Sequence, residues 1–195
     1  MGEQLLFDQF WLPTVLWVAL YISDYALTIY GARLYKDASQ YFSVEGSYEL
    51  TPYYQQDINA LRLISVRFLL ALFGSAFILL VVRGLAMGFP AVFVFVCGAF
   101  LLMEVPVHVR HIRNIALYKQ LKTGIAATGK LSYARWFVYW LSAAEIFVFA
   151  VVFLLFSLLL TSWFFLGGAV MCARLAVGHL MQSNKARKQL VTLNP

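Results

Sequence analysis

Charged residues collect in a few segments of this chain, and the stretches between them are almost wholly apolar. An α-helix needs about 20 apolar residues to cross the hydrocarbon core of a membrane, and five stretches approach or exceed that length. The pattern therefore predicts an all-α fold, an integral membrane helical bundle with five transmembrane helices in a single polytopic domain, residues 1–195. The predicted spans are 11–31, 61–82, 89–109, 135–160 and 163–181.

Two short turns separate neighbouring spans. A single helix over residues 135–181 would be roughly 70 Å long, more than twice the thickness of the hydrocarbon core. Thr161 and Ser162 have side chains suited to a turn and a helix N-cap, so we place the break there. Residues 84–90, Gly-Leu-Ala-Met-Gly-Phe-Pro, indicate a similar turn between the second and third spans.

Composition supports the membrane assignment, and charge gives an orientation. The 195 residues are 62% hydrophobic and only 12% charged, whereas soluble domains carry roughly 25% charged residues. All lysines and arginines except Arg83 and Arg174 lie in or beside the connections 33–60 and 110–134 and the tail from residue 182. The positive-inside rule then predicts cytoplasmic connections, an outside N-terminus and a cytoplasmic C-terminus.

The net charge of +6 also indicates the partners. Basic segments next to a membrane attract anionic lipids of the cytoplasmic face, and the chain leaves no domain large enough to bind nucleic acid. We expect the protein in the plasma (inner) membrane of a prokaryote. Because five spans form a thin bundle, we also expect a homo-oligomer or a place in a larger membrane complex.

The first connection has local structure of its own. Its stretch Gln-Tyr-Phe-Ser-Val-Glu-Gly-Ser-Tyr-Glu-Leu has strand-forming residues around Glu45 to Ser47 and predicts a short hairpin. Thr51-Pro52 resembles an N-cap followed by proline at the first helical position. The second helix is therefore expected to begin below the membrane.

Ionisable side chains inside the predicted spans are the best clue to function. Such residues are costly in hydrocarbon and usually face a bundle interior or a water-filled cavity. On four helices they lie roughly 9–15 Å above the cytoplasmic helix ends, at a rise of 1.5 Å per residue. The expected polar or transport site consists of Asp24, Thr28, Glu104, Glu145 and Arg174, with Arg67 at its edge.

The charges of this site constrain its chemistry. The predicted layer contains three acids and one arginine, Arg174, with a second arginine, Arg67, at its edge. Arg174 stays ionised and is expected to pair with one or two carboxylates. A remaining carboxylate must be protonated or must bind a cation, which is what proton coupling or metal binding requires.

A second pattern lies on the third span. Glu104, His108 and His111 share one helix face at spacings of four and three residues, which suits a divalent metal. They are the candidate metal ligands. The alternative is that His108 and His111, and likewise His179, are polar residues at the membrane interface.

The first third of the chain resembles a group of small prokaryotic membrane proteins. Those proteins carry Asp-x3-Thr on a helix, as Asp24 and Thr28 do here, and a Glu-x-Asn-Pro motif. In this chain the second motif is Glu49-Leu50-Thr51-Pro52, with Thr51 in place of the asparagine. The resemblance implies a membrane-embedded helix pair and no particular activity.

Three functions fit these observations. The first is an oligomeric transporter or channel for a proton, a cation or a small ion, with a polar site open to the cytoplasm. The second is a non-catalytic membrane subunit or scaffold, in which the polar layer fixes helix register. The third is a metal-dependent membrane enzyme acting on a lipid, with Glu104, His108 and His111 as ligands.

Overall fold

The structure is a computed structural model, and it describes residues 2–46, 49–123 and 129–193. Helices dominate this part of the chain: α1 (Gly2–Asp8), α2 (Trp11–Asp37), α3 (Gln55–Asn59), α4 (Val66–Leu85), α5 (Pro90–Lys122), α6 (Arg135–Leu160) and α7 (Trp163–Leu193). Two short strands, β1 (Phe42–Val44) and β2 (Leu131–Tyr133), lie in the connections.

Five of the helices are long and apolar enough to span a membrane, as the hydrophobic pattern predicts. They are α2, α4, α5, α6 and α7. Four of them continue past the predicted end of the span: α4 runs three residues further, to Leu85, and the longer extensions are α2 to Asp37, α5 to Lys122 and α7 to Leu193. The all-α membrane bundle is therefore confirmed, and helical turns extend beyond its apolar part.

The predicted break between the last two spans is also confirmed. Thr161 adopts the left-handed conformation, with φ 49°, and ends α6. The Ser162 amide then donates to the Ser157 carbonyl at 3.0 Å, while the Ser162 hydroxyl accepts a hydrogen bond from the Phe165 amide at 3.4 Å. The two serines thus satisfy backbone groups that a chain reversal leaves without helical partners.

The expected continuous helix from Thr51-Pro52 into the second span is wrong. Only α3 forms there, and it ends in a Schellman motif: Leu61 is left-handed with φ 52°, and the Arg62 amide donates to the Asp57 carbonyl at 3.0 Å. The chain then restarts at Val66, where the Ser65 side chain accepts the Phe68 amide. The local cap at Leu61 overrides the continuous helical pattern.

The predicted strand is confirmed in part, since β1 lies within the stretch expected to form a hairpin, and its partner among the described residues is distant in the chain. β1 pairs with β2 of the other connection, in parallel, with Phe42 opposite Leu131. Residues 47 and 48 of the predicted hairpin lie outside the described residues. The pairing brings both basic connections together beneath the bundle, at what we call the basic side, where α2 and α5 end.

Helix α7 organises the bundle. Both α5 and α6 pack along it, and these two helices barely touch each other. A Cβ atom at Gly98 would overlap the Phe164 carbonyl, and one at Gly167 would overlap the Phe95 carbonyl. The backbones of α5 and α7 therefore approach closely, as small residues allow. The separation of α5 from α6 leaves a cleft on the basic side.

Candidate functional site

The Asp24 carboxylate lies opposite a histidine where α2 packs on α5. Asp24 Oδ1 is 2.8 Å from His111 Nε2. Thr28, one turn along α2, donates its hydroxyl hydrogen to the Asp24 carbonyl and lies 3.2 Å from the same His111 nitrogen. Since the carboxylate and the engaged hydroxyl can only accept, Nε2 carries the hydrogen. His111 Nδ1 is buried and has no hydrogen-bond partner among the described residues.

Glu104 and His108 form the second acid–histidine pair, one to two turns before His111 in α5. The Glu104 side chain is buried, with 2% of its surface exposed, and its Oε2 lies 3.5 Å from His108 Nδ1. That separation is too long for a strong hydrogen bond. Oε2 has no other hydrogen-bond partner in the described part of the chain.

The His108 ring has a polar neighbour at each of its two nitrogens. Nδ1 faces the Glu104 carbonyl at 2.8 Å, which only accepts. On the other side of the ring, His108 Nε2 lies 2.5 Å from the Ser23 hydroxyl, which is also 2.9 Å from the Leu20 carbonyl. With a hydrogen on Nδ1, the neutral ring accepts the Ser23 hydrogen at Nε2, so this hydroxyl has two acceptors within reach.

Two tyrosines close this region on the α4 side. The hydroxyls of Tyr21 and Tyr54 are 2.5 Å apart, and the Tyr21 ring stacks on Phe68. Burial raises the pKa of the Tyr54 phenol above its ordinary value of 10.0. The pair is therefore a neutral hydrogen-bonded link between α2 and the segment before α3.

A cleft of about 940 Å³ opens between α5 and α6 on the basic side. Its floor is the β1–β2 pair, and one wall includes His111, so the Asp24–His111 pair borders the cavity. Polar groups cross its upper end. Arg113 donates to Glu145 at 2.7 Å, and Arg110 donates to the Ser142 hydroxyl at 2.6 Å. Ser142 is also 2.8 Å from His179 Nδ1.

The expected polar layer exists as separate pairs, and the structure does not bring its members to one point. Asp24 and Thr28 meet His111, Glu104 lies near His108, and Glu145 pairs with Arg113. Arg174 is exposed on α7, and the carboxylate pairing expected for it is not found among the described residues. Arg67 bonds Gln56 and the Tyr53 carbonyl near α3, below the layer.

The candidate metal ligands also diverge. His108 faces Glu104 and Ser23, whereas His111 turns toward Asp24 and Thr28. Within residues 2–46, 49–123 and 129–193, no three His, Cys, Asp or Glu side chains are grouped so that they could hold a metal ion. The spacing of Glu104, His108 and His111 permits a shared helix face, but the two histidines take different partners on α2.

Sequence reasoning missed several residues of the site. Ser23 and the two arginines of the cleft, Arg110 and Arg113, were assigned no role in the layer. The end of the third span carries a polar stripe at helical spacing, formed by Arg110, Arg113 and Asn114. This stripe is the sequence pattern that indicates a polar surface there. No pattern in the sequence identified Ser23, because its importance comes from lying opposite His108.

These features define an all-α membrane bundle with acid–histidine pairs inside it and a cleft on its basic side. No protein-family model matches the chain, and the comparisons with curated proteins and with solved structures find no match either.

Proposed function

We propose that this protein is a small membrane transporter or channel whose permeating or coupling ion is the proton. The observation that carries the proposal concerns two buried atoms at the α2–α5 contact, Glu104 Oε2 and His111 Nδ1, which have no hydrogen-bond partner among the described residues. Each belongs to an acid–histidine pair at the α2–α5 contact. A buried carboxylate oxygen or imidazole nitrogen left unpaired costs free energy, and a proton or a water molecule relieves that cost.

The arrangement supports proton exchange with the cleft. His111 borders the cavity and contacts Asp24, so a proton reaching Nδ1 would turn the neutral ring into an imidazolium beside the Asp24 carboxylate. His108 offers a second ring that gains or loses a proton as the Ser23 hydroxyl reorients. Histidine exchanges protons in the physiological range because its ordinary pKa is near 6.5.

A proton fits this site better than a bound metal cation. Divalent cations need several oxygen or nitrogen ligands that converge on one point. Here each carboxylate faces its own histidine, and the described residues provide no group of three convergent ligands. Paired donors and acceptors of this kind need no common centre to pass a proton from one to the next.

Proton flux in liposomes tests the proposal. The purified protein is reconstituted with an entrapped pH indicator, and an inside-negative potassium diffusion potential drives proton entry. We expect faster acidification than in protein-free liposomes, with Asp24→Asn and Glu104→Gln each lowering the protein-dependent rate at least tenfold. Asp37→Asn is the matched control, because Asp37 is an exposed acid that pairs with Lys122 at 2.7 Å.

A transporter that moves protons only together with a solute would show no flux in this assay. Infrared spectroscopy provides a second measurement for that case. A pH titration of the wild-type protein should change a carboxyl C=O band that Glu104→Gln or Asp24→Asn removes and Asp37→Asn retains. If liposomes with wild-type protein acidify no faster than empty ones and no such band exists, the proposal fails. The pairs would then only fix helix register, as in a membrane scaffold.

A further inference from the structure

Arg110 lies in the wall of the cleft and forms no ion pair with a carboxylate of the described residues. It is half-buried, and its one hydrogen bond among the described residues is to the neutral Ser142 hydroxyl. No carboxylate of the described chain lies within ion-pair distance of it. An arginine cannot shed its proton, so a half-buried guanidinium calls for an anion.

The other charged side chains of the cleft do not supply an anion for Arg110. Glu145 is bound by Arg113 at 2.7 Å, and Glu49 accepts the Thr51 amide at 2.7 Å. Lys130 adds another cation to the lining. Cations therefore outnumber acids along the described wall of the cleft, and the two acids already have donors.

Ser142 adds a second polar group beside Arg110. Its hydroxyl accepts from Arg110 and lies 2.8 Å from His179 Nδ1. With a hydrogen on Nδ1, His179 donates to Ser142, and the serine hydroxyl is free to donate to an anion in the cleft. Guanidinium and hydroxyl together are a donor set suited to carboxylate or phosphate oxygens.

Away from this polar end, most of the side chains that line the cleft are apolar or aromatic. Leucine, valine and aromatic side chains form its walls and floor: Phe42, Leu117, Leu121, Leu131, Val138 and Leu141. The volume of about 940 Å³ is at the upper end of the range for small-molecule sites. A small inorganic anion would leave most of this surface in contact with water, whereas a ligand with an apolar body would cover it.

The cleft is also open at its side. Leu117, Leu141 and Val148 line it and yet are 43%, 40% and 59% exposed. Because α5 and α6 barely touch, this exposed edge faces the surroundings of the bundle. A ligand with an apolar chain can therefore enter along the membrane without crossing the bundle.

We propose that the cleft between α5 and α6 binds an amphiphilic anion that carries a carboxylate or phosphate head on an apolar chain. Its anionic head lies at Arg110 and Ser142, and its apolar body fills the space above the β1–β2 pair. The inference goes beyond the proton-transport proposal and does not depend on it, since it concerns what occupies the cleft.

Binding of radiolabelled decanoate to the full-length protein tests this inference. The protein is placed in nanodiscs of phosphatidylcholine, and binding to empty nanodiscs is subtracted. We expect saturable binding that Arg110→Gln weakens at least tenfold. Arg33→Gln is the matched control and should bind as the wild type does, because Arg33 is exposed and does not line the cleft.

Further ligands and variants separate the head contact from the apolar contact. Decanol should compete only weakly with decanoate, and the concentration of decanol needed should be the same for Arg110→Gln as for the wild type. Acetate and inorganic phosphate should displace decanoate only at far higher concentrations. Leu117→Trp should weaken the binding of decanoate, because the larger side chain fills part of the cleft while Arg110 stays in place. If Arg110→Gln does not fold, Arg110→Lys, which keeps the charge, and Leu117→Trp supply the comparison.

Competition by phosphatidylglycerol in the nanodiscs identifies the source of the anion. Displacement of decanoate points to a bilayer lipid headgroup, and its absence points to a free amphiphile; both results retain the anionic site. The inference is overturned if binding is not saturable, if decanol matches decanoate, or if Arg110→Gln binds decanoate as the wild type does. A loss of proton flux with intact decanoate binding would remove only the transport proposal.

Discussion

Asp24 and Glu104 are acids whose surroundings in the bundle decide their chemistry. Each faces a histidine of α5, and the histidines differ in their remaining contacts. His108 has a hydrogen-bond partner at both ring nitrogens, whereas His111 has one nitrogen without a partner among the described residues. Two similar pairs on neighbouring turns therefore differ in how their rings are held.

Glu3 gives a residue-scale prediction at the opposite end of the bundle. Its Oε1 accepts the Ser162 hydroxyl at 2.6 Å and the Phe164 amide at 3.1 Å, at the start of α7. A carboxylate at a helix N-terminus satisfies free amides and is favoured by the helix dipole. We expect Glu3→Gln to lower the free energy of unfolding by about 1 kcal/mol.

Reversible denaturation in detergent micelles measures that change. Asp8→Asn is the control, because Asp8 is an exposed acid in the same short helix whose hydrogen bond among the described residues is from the Gln4 side-chain amide. Equal stability of Glu3→Gln and Asp8→Asn would show that the contact with α7 contributes nothing.

At the scale of elements, the crossing of α5 and α7 decides the shape of the site. Gly98 on one helix and Gly167 on the other let the two backbones touch. On the next face of α7, Cys172 and Ala176 pack against Ile146 of α6. One helix thus holds two others on different faces, and the cleft is the gap that remains between them.

Gly98→Ala tests this crossing. The added methyl group would overlap the Phe164 carbonyl, so the helices must separate, and we expect a loss of about 1–3 kcal/mol. Gly74→Ala in α4 is the matched control, since a Cβ there meets nothing within 4 Å. Because alanine favours a helix over glycine, that variant should be neutral or more stable by up to about 1 kcal/mol.

Thermal unfolding of both glycine variants in the same detergent gives the comparison. A Gly98→Ala protein as stable as Gly74→Ala would contradict the close α5–α7 contact.

At the scale of the whole molecule, the two ends of the bundle differ in chemistry. Contacts of α1 with Arg83 and with the start of α7 close one end. The basic connections, the β1–β2 pair and the Lys122–Asp37 ion pair form the other. The positive-inside rule predicts that this basic end lies in the cytoplasm, which keeps the cleft on that side.

Single cysteines introduced at Met87 and Lys130 test the orientation. Met87 is exposed in the turn between α4 and α5, and Lys130 lies in the second basic connection. With Cys97 and Cys172 replaced by alanine, a membrane-impermeant maleimide added to intact cells should label Met87→Cys and not Lys130→Cys. Labelling of both after lysis is the control, and the reverse pattern in intact cells would invert the topology.

Several features of the fold were predictable from the chain because they depend on local sequence. Apolar length gave the five spans, and Thr161 and Ser162 gave the break between α6 and α7. The partner of β1 was not predictable, since β2 is nearly ninety positions away. The local pattern predicts pairing with the nearest strand-forming residues. The packing of α5 against α2 instead brings β2 beside β1.

The sequence by itself determined that charge sits inside a membrane bundle, because hydropathy and composition depend on residues one at a time. Only the tertiary structure decided which charged groups pair with one another. Asp24 meets His111, Glu145 meets Arg113, and Arg110 is left facing an apolar cleft. Pairing depends on the rotation and spacing of packed helices, and glycines such as Gly98 set these through contacts between distant parts of the chain.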